Sequence, residues 1–327
     1  MVATQRVQLF TDPRMAGHRP PGHPERPERI DAVDAGVADG AAEAGAKLER
    51  PTVIPADADA LERIHPASYL ELLDDAARQG GGWIDADTYI GPDSMVAARL
   101  AAGATVQAAL AAIGGKATVA FAAVRPPGHH ARRERAAGFC LLNNVAIAVA
   151  ALRAGGLAQR IAIVDWDVHH GDGTQAIFDA DPDLCYASTH QMPLYPGTGD
   201  PAEQGTGAAV GTKHNVGLAP GSGDQAFADA WLNQLLPAIE AFAPEAILVS
   251  AGYDAHRLDP LAGLEVTAAG YRSVAETLGR TARQLGIGGV ALTLEGGYDL
   301  GALRESAAAT VAGLLSGLAV GGGGKGA

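Results

Sequence analysis

RIAIVDWDVHHGDGTQ, residues 160–175, begins as a continuous apolar run and ends in acids, histidines and glycines. A strand with one wet face alternates polar and apolar positions. An unbroken run of Val, Ile and Ala instead fits a strand covered on both faces, as in a parallel sheet under helices. The run predicts a strand over 160–168, and three other stretches read the same way: ATVAFAAV (117–124), EAILVSAGY (245–253) and GVALTLEGGY (289–298). Ala-rich helical patterns lie around them at 94–113, 142–154, 225–242 and 267–285. This alternation predicts an α/β fold with a mainly parallel sheet.

Each apolar run gives way to a polar cluster: RPPGHH, DVHHGDG, YDAH and EGGYD. Ligands of open α/β sheets bind beyond the carboxyl ends of the strands, so these clusters are expected to converge on one rim.

The chain has 327 residues, 47% of them hydrophobic, and no break in composition marks a linker, so one domain over 1–316 is expected. The remaining GLAVGGGGKGA (317–327) reads as a disordered Gly-rich tail. No internal repeat is found, and the Gly and Ala content elsewhere is what a GC-rich genome produces. The formal net charge of −13, without a Lys/Arg-rich block, argues against direct nucleic-acid binding and is compatible with cationic substrates. Cys140 and Cys185 lack CxxC spacing, which argues against a disulfide framework and a thiolate zinc site. The N-terminus lacks an apolar signal core, and no uninterrupted apolar stretch approaches the roughly 20 residues that span a bilayer. A cytoplasmic enzyme without membrane contact is the expectation.

In an extended strand, Asp165, Asp167 and His169 share one face, with Asp165 a step deeper. Aspartate oxygen and neutral imidazole both suit Zn2+, although such a triplet also occurs in plain surface turns. Asp254 follows another buried strand, where an acid can equally cap a helix. Together Asp167, His169 and Asp254 make the three-ligand set that leaves a catalytic zinc an open position. His129 and His130 are adjacent in a loop stiffened by two prolines. Neighbours of this kind share one metal poorly and read better as an acid/base pair with carboxylate partners, for which Asp165 and Asp172 are available; an exposed loop pair is the alternative. Tyr298 follows two glycines and could either donate a hydrogen bond to an oxyanion or pack over a pocket mouth. His170 should point away from His169. His18, His65, His214 and His256 read as surface or packing residues, and Trp83, Trp166 and Trp231 as core or rim aromatics.

Six motifs occur in order: RPPGHH (125–130), GFCLLNN (138–144), VDWDVHHGDGTQ (164–175), YPGTGD (195–200), AGYDAHRLDPLAG (251–263) and EGGY (295–298). With GHPERPERI near residue 22, the chain resembles the histone deacetylase superfamily up to about residue 315, closest to its class II branch and bacterial amidohydrolases. The resemblance implies the arginase–deacetylase fold, a single domain around a mostly parallel sheet of about eight strands. It also implies one Zn2+ on Asp167, His169 and Asp254, and His130 as general base and acid backed by Asp172. It makes His129, partnered by Asp165, an electrostatic residue, and Tyr298 the group that polarises the acetyl carbonyl. Gly138, Phe139, Tyr195 and Gly297 match the substrate channel. Asp87 matches a rim contact, and Arg29 borders an internal acetate pocket. Structural K+ is implied at Asp165, Asp167, His169, Ser188 and Thr189, mostly through carbonyls, and a second monovalent ion at Phe178, Asp181 and Leu184.

The implied substrate is an acetyl-lysine peptide or a small acetylated amine. Polyamine-selective relatives carry an acid after the third zinc ligand; here Leu261 stands there, with Asp259 two residues away. That favours acetyl-lysine-type substrates over acetylpolyamines. A binuclear manganese ureohydrolase lacks its further ligand spacing here, and a non-catalytic acyl-binding module would have no reason to keep every catalytic position. Assembly is left open, a homo-oligomer included.

Overall fold

The four apolar runs become four adjacent strands at the centre of one eight-stranded sheet. The computed structural model describes residues 4–319. Its strands are β1 (Arg6–Phe10), β2 (Lys47–Glu49), β3 (Gly82–Trp83), β4 (Tyr89–Ile90), β5 (Val119–Ala122), β6 (Ile161–Asp165), β7 (Leu184–Gln191), β8 (Lys213–Leu218), β9 (Ala246–Ala251) and β10 (Val290–Leu294). The sheet order is β2-β1-β5-β10-β9-β6-β7-β8, with every ladder parallel, while β3 and β4 form a separate antiparallel pair. Every residue of β5, β6, β9 and β10 is buried, which is why these strands read as continuous apolar runs. Each strand is shorter than its run, because the polar clusters leave the ladder.

The helices are α1 (Glu28–Glu43), α2 (Ala58–Glu62), α3 (Ala67–Arg78), α4 (Ser94–Ile113), α5 (Asn144–Ala154), α6 (Asp172–Phe178), α7 (Asp224–Ala230), α8 (Leu236–Phe242), α9 (Ala268–Gln284) and α10 (Leu300–Leu318). Side chains at the starts of α5, α9 and α10 satisfy otherwise unpaired amides: Asn143 accepts from Ala146, Thr267 from Ala269 and Asp299 from Ala302. The helix expected over 225–242 is interrupted by a π-helical turn at Trp231–Leu235. Pro237 lacks the N–H that would bond to the carbonyl four residues back, and Trp231 Nε1 is held by Thr189 Oγ1 at 3.0 Å.

Two expectations are corrected. Helix α4 is long and apolar enough to cross a membrane, with 20 residues and a mean hydropathy of 1.5, yet 67% of its apolar window is buried inside the protein. It packs on α5 and the sheet, so its apolarity serves the core, and Arg99 within it pairs with Asp74 at 2.7 Å. The tail expected from 317 does not begin there, because α10 continues to Leu318. There α10 lies so close to α9 that a Cβ at Gly317 would meet the Glu276 carbonyl oxygen at 2.1 Å. The rest of the expected tail, 320–327, lies outside the described residues.

Candidate active site

The chain leaves β6 after Asp165 through two successive Asx-type turns. Asp165 Oδ1 accepts from Asp167 N at 3.3 Å, and Asp167 Oδ1 accepts from His169 N at 2.9 Å. The three side chains therefore meet by bending, not by the strand alternation expected from the sequence. The loop after the adjacent β9 brings Asp254, whose Oδ1 accepts from Val168 N at 2.8 Å. One ligand atom from each of Asp167, His169 and Asp254 lies within 4.8 Å of the others, the single such metal-binding group among the described residues.

This trio fits a cation. Asp254 Oδ2 is buried without a hydrogen-bond partner, and His169 Nδ1 lies 3.1 Å from Asp167 Oδ1 and 3.2 Å from Asp254 Oδ2. Two oxygens and an imidazole are a usual zinc donor set. Glycine makes the room: a Cβ at Gly296 would stand 2.0 Å from Asp254 Oδ2, and one at Gly252 would stand 2.1 Å from Asp167 Oδ2. Burial disfavours a charged His169, but the facing carboxylates of Asp167 and Asp254 hold its pKa up at about 10. Burial and the charge of Asp167 raise the pKa of Asp254. Both shifts report crowded negative charge that wants a positive partner.

The histidine pair sits beside the trio, with ring centroids 4.0 Å apart. His129 Nδ1 faces Asp165 Oδ2 at 3.1 Å, and His130 Nδ1 faces Asp172 Oδ1 at 2.9 Å. These contacts put a proton on each Nδ1 and leave His130 Nε2 as the acceptor. Burial opposes charge on His129, but Asp167 and Asp165 raise its pKa well above the usual value. Burial and the neighbouring His129 drive His130 down to about 3 despite Asp172. The two rings are thus pushed in opposite directions, His129 towards the charged form and His130 towards the neutral one.

A cavity of about 230 Å³ opens onto both groups. His129, His130, Asp167, His169, Gly296 and Tyr298 form its floor, Gly138, Phe139, Leu194, Tyr195 and Leu261 its walls, and Asp87 contributes from the rim. Gly138 and Phe139 both adopt positive φ, 52° and 69°, and a Cβ at Gly138 would strike the His130 ring at 2.4 Å. Burial raises the pKa of Tyr298 well above the usual value, so its phenol stays neutral.

Gly297, expected in the channel, does not line this cavity, and Arg29, expected beside an internal acetate pocket, lies behind it. Gly297, at φ 116°, offers its carbonyl to Arg29 Nε at 2.7 Å. Arg29 is fully buried, paired with Glu25 at 3.1 Å, and lies under the Tyr298 ring with its guanidinium carbon 4.9 Å from the centroid. Its Nε and Nη2 donate to the carbonyls of Gly297 and Glu295 and so fix the Tyr298 loop. Asp259 also faces inward, with Oδ1 accepting from Leu261 N and Oδ2 from Tyr298 N at 2.7 Å.

Of the residues expected around potassium, Ser188 Oγ faces His190 Nδ1 at 3.0 Å and Thr189 Oγ1 accepts from Trp231. His170 turns away from the trio to Thr198 and Gln175, as expected. His18, His65 and His256 are buried packing residues.

Sequence reasoning missed four supporting side chains. Arg132 forks onto Asp172 Oδ2 with Nε at 3.1 Å and Nη2 at 2.8 Å. Tyr186 donates to Asp165 Oδ2 at 2.9 Å and accepts from Gly171 N. Glu295 Oε2 accepts from the amides of Gly128 and His129, tying the β5 loop to β10, and burial lifts its pKa to about 7. Asp259 anchors Tyr298. The one available signal was a carboxylate at the end of a buried strand, in LTLEGG.

The fold and this cleft define a class first: an α/β hydrolytic enzyme with its chemistry on the C-terminal rim of a parallel sheet. The chain belongs to the histone deacetylase family, whose domain model, described as histone deacetylase domain, matches residues 23–314. It is 40% identical over 296 residues to a probable deacetylase of Archaeoglobus fulgidus, covering 89% of this chain and 81% of that one. It is 38% identical over 255 residues to a histone deacetylase-like amidohydrolase of Pseudomonas aeruginosa, covering 78% of this chain and 67% of that one. The crystal structure of the HDA15 HD domain superposes with a TM-score of 0.87 at 36% identity, covering 96% of this chain and 89% of the other. Its fold is therefore the arginase–deacetylase fold.

Proposed function

We propose that this chain is a zinc-dependent deacetylase that hydrolyses N-acetyl groups of acetyl-lysine-type amines. The observation that carries the reading is the buried Asp254 Oδ2, which has no hydrogen-bond partner and is grouped within ligand distance of Asp167 and His169, two residues that line the cavity together with His130 and Tyr298. Asp167, His169 and Asp254 would hold the ion, which supplies Lewis acidity to the acetyl carbonyl and to water.

Neutral His130 accepts the proton of the attacking water at Nε2 and returns it to the leaving amine. Asp172, forked by Arg132, holds the ring and steadies its transient charge. The Tyr298 phenol donates to the oxygen that gains negative charge. His129, whose pKa the carboxylates of Asp167 and Asp165 raise, contributes electrostatically without moving a proton. Phe139 and Tyr195 cover the methylene chain of the substrate. Leu261 on the wall, with Asp259 occupied by backbone amides, favours an acetyl-lysine over an acetylpolyamine. We also assign K+ to the main chain around Asp165, Asp167, His169, Ser188 and Thr189. In support, the carbonyls of Asp167 and His169 take none of the loop backbone hydrogen bonds among the described residues.

The test compares kcat/KM of zinc-loaded and chelated protein on an acetyl-lysine peptide, acetylputrescine and acetylspermidine. Turnover that disappears with chelation, returns with zinc and favours the peptide is expected. Zinc-loaded protein inert on all three would refute the reading.

A further inference from the structure

Lys213, the first residue of β8, has only 1% of its surface exposed. Its Nζ donates to the Leu184 carbonyl at 2.8 Å, the Asp181 carbonyl at 3.3 Å and Thr212 Oγ1 at 2.6 Å. Asp181 and Leu184 are two of the three positions at which the resemblance implies a second monovalent ion. The Asp181 carboxylate is not a hydrogen-bond partner of Nζ, since it pairs with Arg153 and accepts from Asp183 N. What surrounds Nζ is a set of neutral oxygens converging on one point, the donor set that suits a monovalent cation. An ammonium is close to potassium in size and carries the same charge. Burial lowers the pKa of Lys213 to about 8, which leaves it protonated at neutral pH.

We propose that the Lys213 ammonium is the resident cation of this carbonyl cradle, so that no exchangeable monovalent ion binds there. The expected ion at Phe178, Asp181 and Leu184 and the residues present do not fit together, because the lysine already fills the place. The tethered charge has a structural task. Asp181 N bonds to the Phe178 carbonyl at 3.0 Å and Leu184 N to the Asp181 carbonyl at 3.3 Å, so the cradle is the turn that joins α6 to β7. Helix α6 begins at Asp172, the carboxylate behind His130. Lys213 therefore pins the far end of the element that carries this acid, and it does so without paying the binding entropy of a free ion. The inference is independent of substrate and of zinc.

The test locates thallium(I) by anomalous scattering in crystals of the wild-type chain and of Lys213→Ala. The wild type should show no thallium in the cradle, and the variant should show one ion there. The variant's Tm should also rise by about 2 °C or more beyond the wild type's rise when choline chloride is replaced by KCl at equal ionic strength. A thallium ion in the wild-type cradle, with Lys213 turned out, overturns the proposal. So does a folded variant that binds no thallium there and melts with wild-type potassium dependence. If Lys213→Ala does not fold in either salt, the wild-type thallium map decides alone.

Discussion

Replacing Gly296 by alanine should wedge the trio open. The new Cβ would stand 2.0 Å from Asp254 Oδ2 and 2.6 Å from Asp167 Oδ2, whereas ordinary contact begins at 3.4 Å. Asp254 Oδ2 would have to retreat by about 1.4 Å and Asp167 Oδ2 by about 0.8 Å to restore normal contact. Neither can swing freely, because Asp254 Oδ1 holds Val168 N at 2.8 Å and Asp167 Oδ2 holds Gly296 N at 2.7 Å. Gly296 is not among the positive-φ glycines, so alanine costs nothing in backbone conformation and the Cβ acts alone. Ligand positions tolerate errors of about 0.2 Å, so shifts several times larger should weaken zinc by at least about 100-fold, with a parallel loss of kcat/KM at limiting metal. Competition against a fluorescent chelator measures the affinity, and circular dichroism checks that the fold is kept. Gly288→Ala is the control, since a Cβ there meets nothing within 4 Å. Wild-type zinc affinity in folded Gly296→Ala would mean that Asp167 and Asp254 do not ligate the ion.

Tyr298→Phe should keep zinc and lose about 100-fold or more in kcat, the usual worth of one oxyanion donor; undiminished turnover removes the phenol from the reaction. Leu261→Glu puts a carboxylate on the cavity wall and should raise the preference for acetylspermidine over an acetyl-lysine peptide by about tenfold, about 1.4 kcal/mol. An unchanged ratio would show that Leu261 does not select the substrate. His65 is buried neutral between Arg133 O and Asn143 N, both at 2.9 Å, and burial lowers its pKa from 6.5 to about 4. Between those values the unfolded chain binds the proton and the folded chain does not. This residue's stabilising share is therefore complete above pH 6.5 and lost as pH falls towards 4. His65→Gln should accordingly show a shallower fall in Tm than the wild type across that window, and parallel melting curves would exclude the effect.

The central strands were legible because burial on both faces leaves no alternation to misread, and the clusters that end them fall on four neighbouring strands of the sheet. Their geometry was less legible. The sequence suggests that Asp165, Asp167 and His169 share a strand face, but the ladder stops at Asp165 and backbone-to-carboxylate turns do the aligning. Glycines 252 and 296 passed as ordinary composition, because the space they leave is demanded by carboxylates from other segments of the chain. Arg29 reads as a pocket residue from its motif, and its further task of holding the Tyr298 loop and Glu25 depends on contacts across the chain that leave no local signal. The role of Lys213 carries no local signal, since its carbonyl partners lie in a turn about 30 residues earlier, a distance that the parallel pairing of β7 and β8 closes.

The sheet order makes β10, the last strand among the described residues, its keystone. Strand β10 lies between β5 and β9, so a nascent chain that has not reached Val290 holds two separate half-sheets, β2-β1-β5 and β9-β6-β7-β8, with no ladder between them. Only the late arrival of β10 can zip these halves together, and until it does the paired histidines and the acidic trio belong to different pieces. The chemistry is thus complete only once β10 has paired on both sides, and until then two unfinished edges must be kept from pairing with the wrong neighbour.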